Sequence, residues 1–260
     1  MDLVEARRQD FVRFTRHPWE RARLAVVSRL IDDHGSLRAG DVVLDIGCGD
    51  TFVAESLALR YPAVRFYAID SAFTPALIQT FTERLTAPNV TLFASLHDVP
   101  GDRPASLVLL MDVLEHAQDD AALLRDIVSH RAFDGGSRLL ITVPSYARLF
   151  CAHDRFLGHY RRYTDRGLLD VIHSVGCEAV ASGHFFFSLI PARMLQIVKE
   201  RVVGTTADDA EGLANWRGGE RRARLLATVL EWDGWIGLAL NRRGVAWPGL
   251  SNFAICKRSA

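Results

Sequence analysis

Short apolar runs alternate with amphipathic stretches along most of the chain. Residues 17–34 place Trp19, Leu24, Val27, Leu30 and Ile31 on one side at helical spacing, which predicts a helix. Gly35 and Gly40 punctuate the approach to Val42–Ile46, a short apolar run closed by glycine and expected as a buried parallel strand. The two patterns then repeat. Helices are predicted over 52–60, 75–85 and about 119–131, and strands over 64–69, 90–94, 107–111 and 138–143. Strands alternating with helices of about ten residues imply βαβ units and a parallel sheet.

The later chain departs from this alternation. Thr164 reads as the N-cap of a helix that stops at Gly176. A sixth strand is expected over 178–187, with Phe185, Phe186 and Phe187 as core. Residues 188–243 look mostly helical, with a polar interruption over 204–219. The apolar positions Leu189, Ile190, Met194, Leu195, Ile197, Trp232, Trp235 and Leu238 exceed what one flanking helix needs. This segment is expected to cover a cleft or to pack on a second copy in a homodimer. Surface contact with a membrane is a weaker option, raised by Arg193, Lys199 and Arg201 nearby. A last strand over 252–257 should return to the sheet. The expected fold is α/β: a Rossmann-like, doubly wound, mostly parallel seven-stranded sheet with helices on both faces and a late helical insertion. All of residues 1–260 are read as one domain.

Composition narrows the function classes. The chain has 31 Lys+Arg against 31 Asp+Glu, so no basic excess points to nucleic acid. Its four cysteines, Cys48, Cys151, Cys177 and Cys256, make no C-x-x-C pair and read as reduced thiols. No apolar run reaches the ~18 residues that span a bilayer. The stretch Met1 to Arg8 is charged and has no apolar signal core, so a cytoplasmic location is expected.

The sharpest chemical signal is Asp45-Ile46-Gly47-Cys48-Gly49-Asp50, where a strand turns into a helix. Gly47 and Gly49 allow a tight turn and close approach of a ligand to the backbone. A dinucleotide fingerprint needs Gly or Ala where Phe52 stands. Asp45 and Asp50 also disfavour a dianionic pyrophosphate and suit a cationic ligand. S-adenosylmethionine carries an ammonium and a sulfonium. Asp70, ending the second predicted strand, is placed to accept the ribose hydroxyls of a nucleoside.

Asp112, Glu115 and His116 follow the fourth predicted strand. Asp112 should sit beside the cofactor cleft, and His116 should act as a base or polar wall. Glu115 is read equally well as a helix-start acid held by the dipole. With His153 these three form an oxygen/nitrogen set of the kind that binds metal, although no metal is assigned.

At this point the chain resembles the class I S-adenosylmethionine-dependent methyltransferases. Val43 to Ser56 looks like their first motif, and Met111-Asp112-Val113-Leu114-Glu115-His116 resembles their D-V-L-E-H segment. Trp19 and Arg23 are similar to the H-x-W-x-x-x-R helix of one subgroup. His153-Asp154 and Gly158-His159-Tyr160-Arg161-Arg162-Tyr163-Thr164 resemble its H-D-x-x-L-G-H-Y-R-R-Y-T signature, and Pro248-Gly249-Leu250-Ser251 also fits. Thr51 replaces the usual third glycine, which implies altered packing and not lost binding. Ala94-Ser95 stands where many relatives carry an adenine-contacting acid.

The resemblance implies S-adenosylmethionine as cofactor. Trp19, Arg23, Asp45, Gly47, Cys48, Gly49, Asp70, Ser71, Ser95, Leu96, Met111 and Asp112 are its expected contacts. The expected reaction is methyl transfer to a small-molecule acceptor, with hydroxyl or carboxylate oxygen favoured. His116, His153 and Tyr160 are the expected acceptor-side catalytic groups, while Arg162 and Tyr163 are expected to pin the loop. The alternatives are a non-methylating use of the cofactor and a non-catalytic ligand-binding module.

Overall fold

A computed structural model describes residues 16–34, 37–204 and 218–259. Gly35, the stretch Met1 to Arg8 and most of the polar interruption at 204–219 lie outside the described residues. Seven strands form one sheet: β1 (Val42–Ile46), β2 (Arg65–Ile69), β3 (Val90–Phe93), β4 (Leu107–Met111), β5 (Arg138–Pro144), β6 (Cys177–Phe185) and β7 (Ser251–Arg258). Their order is β3-β2-β1-β4-β5-β7-β6, and β7 runs antiparallel to both its neighbours. The final strand therefore slots back into the sheet that β1 began.

The helices are α1 (Pro18–His34), α2 (Phe52–Arg60), α3 (Pro75–Arg84), α4 (Asp120–Ser129), α5 (Ala152–Phe156), α6 (Asp165–Ser174), α7 (Leu189–Val203) and α8 (Gly219–Arg242). Successive strand residues point to opposite faces, so the core has two layers. Val43, Leu107 and Leu109 pack with α1, α2 and α8. Val42, Leu44, Val108 and Leu110 pack with α4 and α6. Thr164 caps α6 by accepting the Gly167 amide, and Gly176 takes a positive φ beyond its end. The short helix α5 and three single 3₁₀ turns, at Leu96–Asp98, Leu114–His116 and Ala147–Leu149, have no periodic signal long enough to read.

The insertion lies between β6 and β7. Helix α8 lies on α1 and β6 through glycines: a Cβ at Gly234 would meet Val26 Cγ2 at 2.4 Å. Arg21 of α1 donates through both terminal nitrogens to the Glu220 carboxylate, at 2.9 Å each. Ile197 and Leu238 are buried, but Leu195, Met194, Trp232 and Trp235 face out. Among the described residues no helix is long and apolar enough to cross a membrane. One core expectation needs correction. Phe185 and Phe186 are fully buried, whereas Phe187 is exposed and packs on Trp247. The sixth strand ends at Phe185, and Phe186 takes φ 67°, which turns the next side chain outward.

Candidate active site

Parallel sheets of this kind collect their loops at the carboxyl ends of the strands. Here those loops and the start of α1 enclose a cavity of about 810 Å³. Its first wall is the turn after β1. The Gly47 and Cys48 amides both donate to the Ile69 carbonyl, at 2.8 and 3.1 Å, fastening the turn to β2. Gly47 and Gly49 have φ of 70° and 58°. A Cβ at Gly47 would also meet Val113 Cγ2 at 2.5 Å, so glycine is needed there twice over. Thr51, in place of a third glycine, is buried and takes φ 66° at the start of α2.

Asp70 closes β2 with its carboxylate shared between two main-chain donors, Gly49 and Ala72, each at 2.9 Å. Asp70 also lines the cavity. Asp50 pairs with Arg16 at 2.6 Å. Asp45 behaves differently. It is buried, does not line the cavity, and among the described residues neither oxygen has a hydrogen-bond partner. Burial pushes its carboxyl up to about 7, with Arg23 pulling the other way. Burial also pushes the Cys48 thiol up, which makes that residue a wall and not a nucleophile.

The second wall follows β4. Asp112 takes φ 56° and accepts from Arg23 Nη1, and the Arg23 guanidinium lies 4.5 Å from the Trp19 ring centroid. The helix before the sheet is thereby clamped to the loop after β4. Glu115 lines the cavity fully buried, and among the described residues neither oxygen has a hydrogen-bond partner. Burial, then the neighbouring Asp112 charge, pushes its carboxyl well above the usual range.

The third wall is the connection from β5 to α6. Asp154 is its buried hub. Its carboxylate accepts the Cys151 amide at 2.8 Å, Arg162 Nε at 2.8 Å and His159 Nδ1 at 3.1 Å. Although burial works against it, the His159 hydrogen bond and the Arg162 charge hold the Asp154 carboxyl well below the usual range. Tyr163 donates to Asp120 at 2.6 Å. Arg162 and Tyr163 thus pin the loop, as read from the sequence. The insertion completes the wall: Leu189 and Arg193 from α7 and Leu230 from α8 line the same cavity. Arg193 also reaches Cys151 Sγ at 2.8 Å, and Glu200 accepts the Ala152 amide at 3.0 Å.

Of the residues expected from sequence, Trp19, Arg23, Gly47, Cys48, Gly49, Asp70, Ser71, Ser95, Leu96, Met111, Asp112, His116 and His153 all line this cavity. Asp45, expected as a contact, is buried and is not among the lining residues. Tyr160 is a correction: its side chain is 57% exposed and outside the cavity. Its amide is held by the Glu115 carbonyl, and the preceding residue, His159, points inward instead. His159 and Arg193 were missed as lining groups, whereas Leu189 and Leu230 belong to the segment expected to cover a cleft. His159 had a visible signal, since it stands within the same G-H-Y-R-R-Y-T segment.

A family model described as a methyltransferase domain matches residues 13–195. The chain belongs to that family, the class I S-adenosylmethionine-dependent methyltransferases. No curated protein gives a significant match to the sequence. Solved structures with the same fold include coclaurine N-methyltransferase bound to N-methylheliamine and SAH. It is 15% identical, with TM-score 0.55, covering 90% of this chain and 72% of that one. The N-methyltransferase NodS from Bradyrhizobium japonicum WM9, in complex with S-adenosyl-L-homocysteine, is 21% identical with TM-score 0.51, covering 69% and 85%. The [4+2]-cyclase SpnF is 18% identical with TM-score 0.54, covering 92% and 82%. This methyltransferase therefore shares its fold with N-methyltransferases and with a cyclase.

Proposed function

We propose that the methyltransferase binds S-adenosylmethionine along the β1 and β2 walls and transfers its methyl to an oxygen of a small, partly apolar acceptor. One observation carries this reading. A single cavity runs from the glycine turn and Asp70 to His116, His153, Leu189 and Leu230. Its 810 Å³ lies near the top of the ~300–1,000 Å³ range of ligand pockets, which leaves space for two molecules.

The residues fit the cofactor. The unpartnered, buried Asp45 favours a cation above it. The ammonium of the methionine part supplies one, next to the Gly47 and Gly49 backbone. Asp70 accepts the ribose hydroxyls. Ser95 and Leu96 flank the adenine, and Trp19, Arg23 and Asp112 close the far side. When bound, the cofactor supplies an electrophilic methyl on a positively charged sulfur.

The chain supplies alignment, exclusion of water and a proton acceptor. His153, 7% exposed on α5, takes the acceptor proton, and His116, which lines the same cavity after β4, serves as a polar wall. A His is suited to this work near neutral pH. Leu189 and Leu230 give the acceptor its apolar surface. The enzyme works in the cytoplasm as a homodimer, without nucleic acid as a partner. The cyclase of the same fold marks the rival reading, in which the cofactor serves a reaction other than methylation. Incubation with S-adenosylmethionine and a library of hydroxy and carboxy compounds, read by release of S-adenosylhomocysteine, tests it. Tight cofactor binding with no turnover on any acceptor would favour the rival.

A further inference from the structure

Glu115, His116 and His159 each present a ligand atom to one point of the cavity wall, and these atoms all lie within 4.8 Å of one another. The three come from two separate loops, after β4 and after β5, which meet through the Glu115 carbonyl and the Tyr160 amide at 2.8 Å. The His116 and His159 rings stand edge to face, with centroids 4.6 Å apart.

Two further features point to a ligand. First, both Glu115 oxygens are buried without a hydrogen-bond partner among the described residues, on a side chain that lines the cavity. A neutral carboxylic acid would be as poorly served, because its O–H also needs an acceptor. Arg23 and Arg162 are hydrogen-bonded to other acids, Asp112 and Asp154, and the buried Arg23 Nε has no hydrogen-bond partner among the described residues, so it does not serve Glu115. Second, His159 uses Nδ1 on the buried Asp154 carboxylate, which orients the ring and turns Nε2 to the cavity. A carboxylate behind a histidine is the usual outer support of a metal-bound imidazole.

We propose that Glu115, His116 and His159 bind a divalent first-row cation of the zinc or manganese class, with an open position toward the acceptor. Two imidazoles and one carboxylate are an ordinary ligand set for such ions. The ligand atoms lie within 4.8 Å of one another, and a bound ion with bonds near 2.1 Å would draw them to edges of ~3.4 Å. Binding of the ion stands on the geometry alone. Its role rests on the methyl-transfer reading. The acceptor hydroxyl coordinates the cation and its proton passes to His153. The oxygen lone pair then forms the C–O bond while the C–S bond breaks, and that electron pair stays on sulfur as a neutral thioether. The cation thus selects a coordinating oxygen acceptor.

The test uses the full-length protein dialysed against EDTA, titrated by calorimetry with zinc chloride and, separately, with manganese chloride. One equivalent should bind. Glu115→Gln and His159→Ala should each weaken binding ~10–100-fold, and Asp154→Asn should weaken it by ~10-fold or more. A single cooperative melting transition and retained S-adenosylhomocysteine binding show that each variant is folded, with Asp154→Asn expected to melt lower because its buried ion pair is lost. Pulsed electron paramagnetic resonance of the manganese form should show two coupled imidazole nitrogens, and one in His159→Ala. No binding to the wild type, or binding indifferent to Glu115→Gln, overturns the site. Binding with turnover unaffected by chelation overturns the acceptor role and leaves the site. Metal binding without any methyl transfer counts against the reaction and not against the site.

Discussion

The Asp70 carboxylate accepts the Gly49 main-chain amide at 2.9 Å, so the end of β2 holds the glycine turn that follows β1. A group proposed to bind the ribose therefore also sets the shape of the surface beneath the methionine part. Asp70→Ala should weaken S-adenosylhomocysteine binding by ~1.5–3 kcal/mol, the scale of hydrogen bonds involving a charged group. Asp70→Asn keeps one acceptor oxygen and should fall between. Isothermal titration measures both, and unchanged affinity in Asp70→Ala would contradict the placement.

Asp45 makes the empty enzyme sensitive to pH. Burial raises its folded pKa to about 7, above the ordinary carboxyl value. A raised pKa means stability that is full below the unfolded pKa and is lost as pH rises through the folded one. The Asp45→Asn variant should thus gain on the wild type as pH rises from about 4 to 7, by roughly a few kcal/mol. A cationic ligand favours the ionised form, so wild-type cofactor affinity should climb over the same window. Melting temperatures and titrations across that range check both trends, and parallel curves for the two proteins would refute the account.

Asp154 has the opposite sign. Its folded pKa is depressed, so its contribution is present above the ordinary carboxyl pKa and is lost as pH falls through the folded value. Asp154→Asn leaves Arg162 buried without its carboxylate, which should cost about 3–5 kcal/mol at pH 7. Denaturant unfolding reads the loss. The gap between variant and wild type should shrink in acid.

His153→Ala should lower turnover by ~10²–10⁴ while cofactor affinity holds. Tyr160→Phe should be silent, since that side chain lies outside the cavity. Single-turnover rates on whichever acceptor the screen identifies would expose a mistake if the two variants behaved alike.

Gly234 tests how the insertion is seated. Alanine there should gain up to ~1 kcal/mol in helix propensity. Its Cβ would meet Val26 Cγ2 at 2.4 Å, and Val26 is fully buried and stiff about χ1. Overpacking of ~1–3 kcal/mol should win, with net destabilisation. Val26→Ala in the same chain should recover part of it. A double-mutant cycle showing strict additivity would mean that the contact carries no strain.

Most of the scaffold could be read locally. The strands β1 to β5 and the helices between them follow from hydrophobic period, and the turn at Gly47 and Gly49 follows from the φ values only glycine takes freely. Both are short-range properties, so the amino-acid order contains them. The clustering of Asp45, Gly49, Asp70 and Asp112 follows as well, because each residue ends or follows a strand and a parallel sheet brings those ends together.

The acceptor side was settled only in three dimensions. His153, His159 and Tyr160 lie within a few residues on an irregular connection, where no period says which side chains turn inward. The Asp154 hydrogen bonds make that choice, aiming His159 in while Tyr160 faces solvent. Arg23 reaches Asp112 across 89 positions of sequence, and Arg193 and Leu230 come to the cavity from the insertion. Glu115 could be read equally well as a helix-start acid, and only the packing of two distant loops shows its carboxylate buried and unpartnered. Period and turn chemistry act between near neighbours, whereas burial and ion pairing are set by whatever the fold brings alongside.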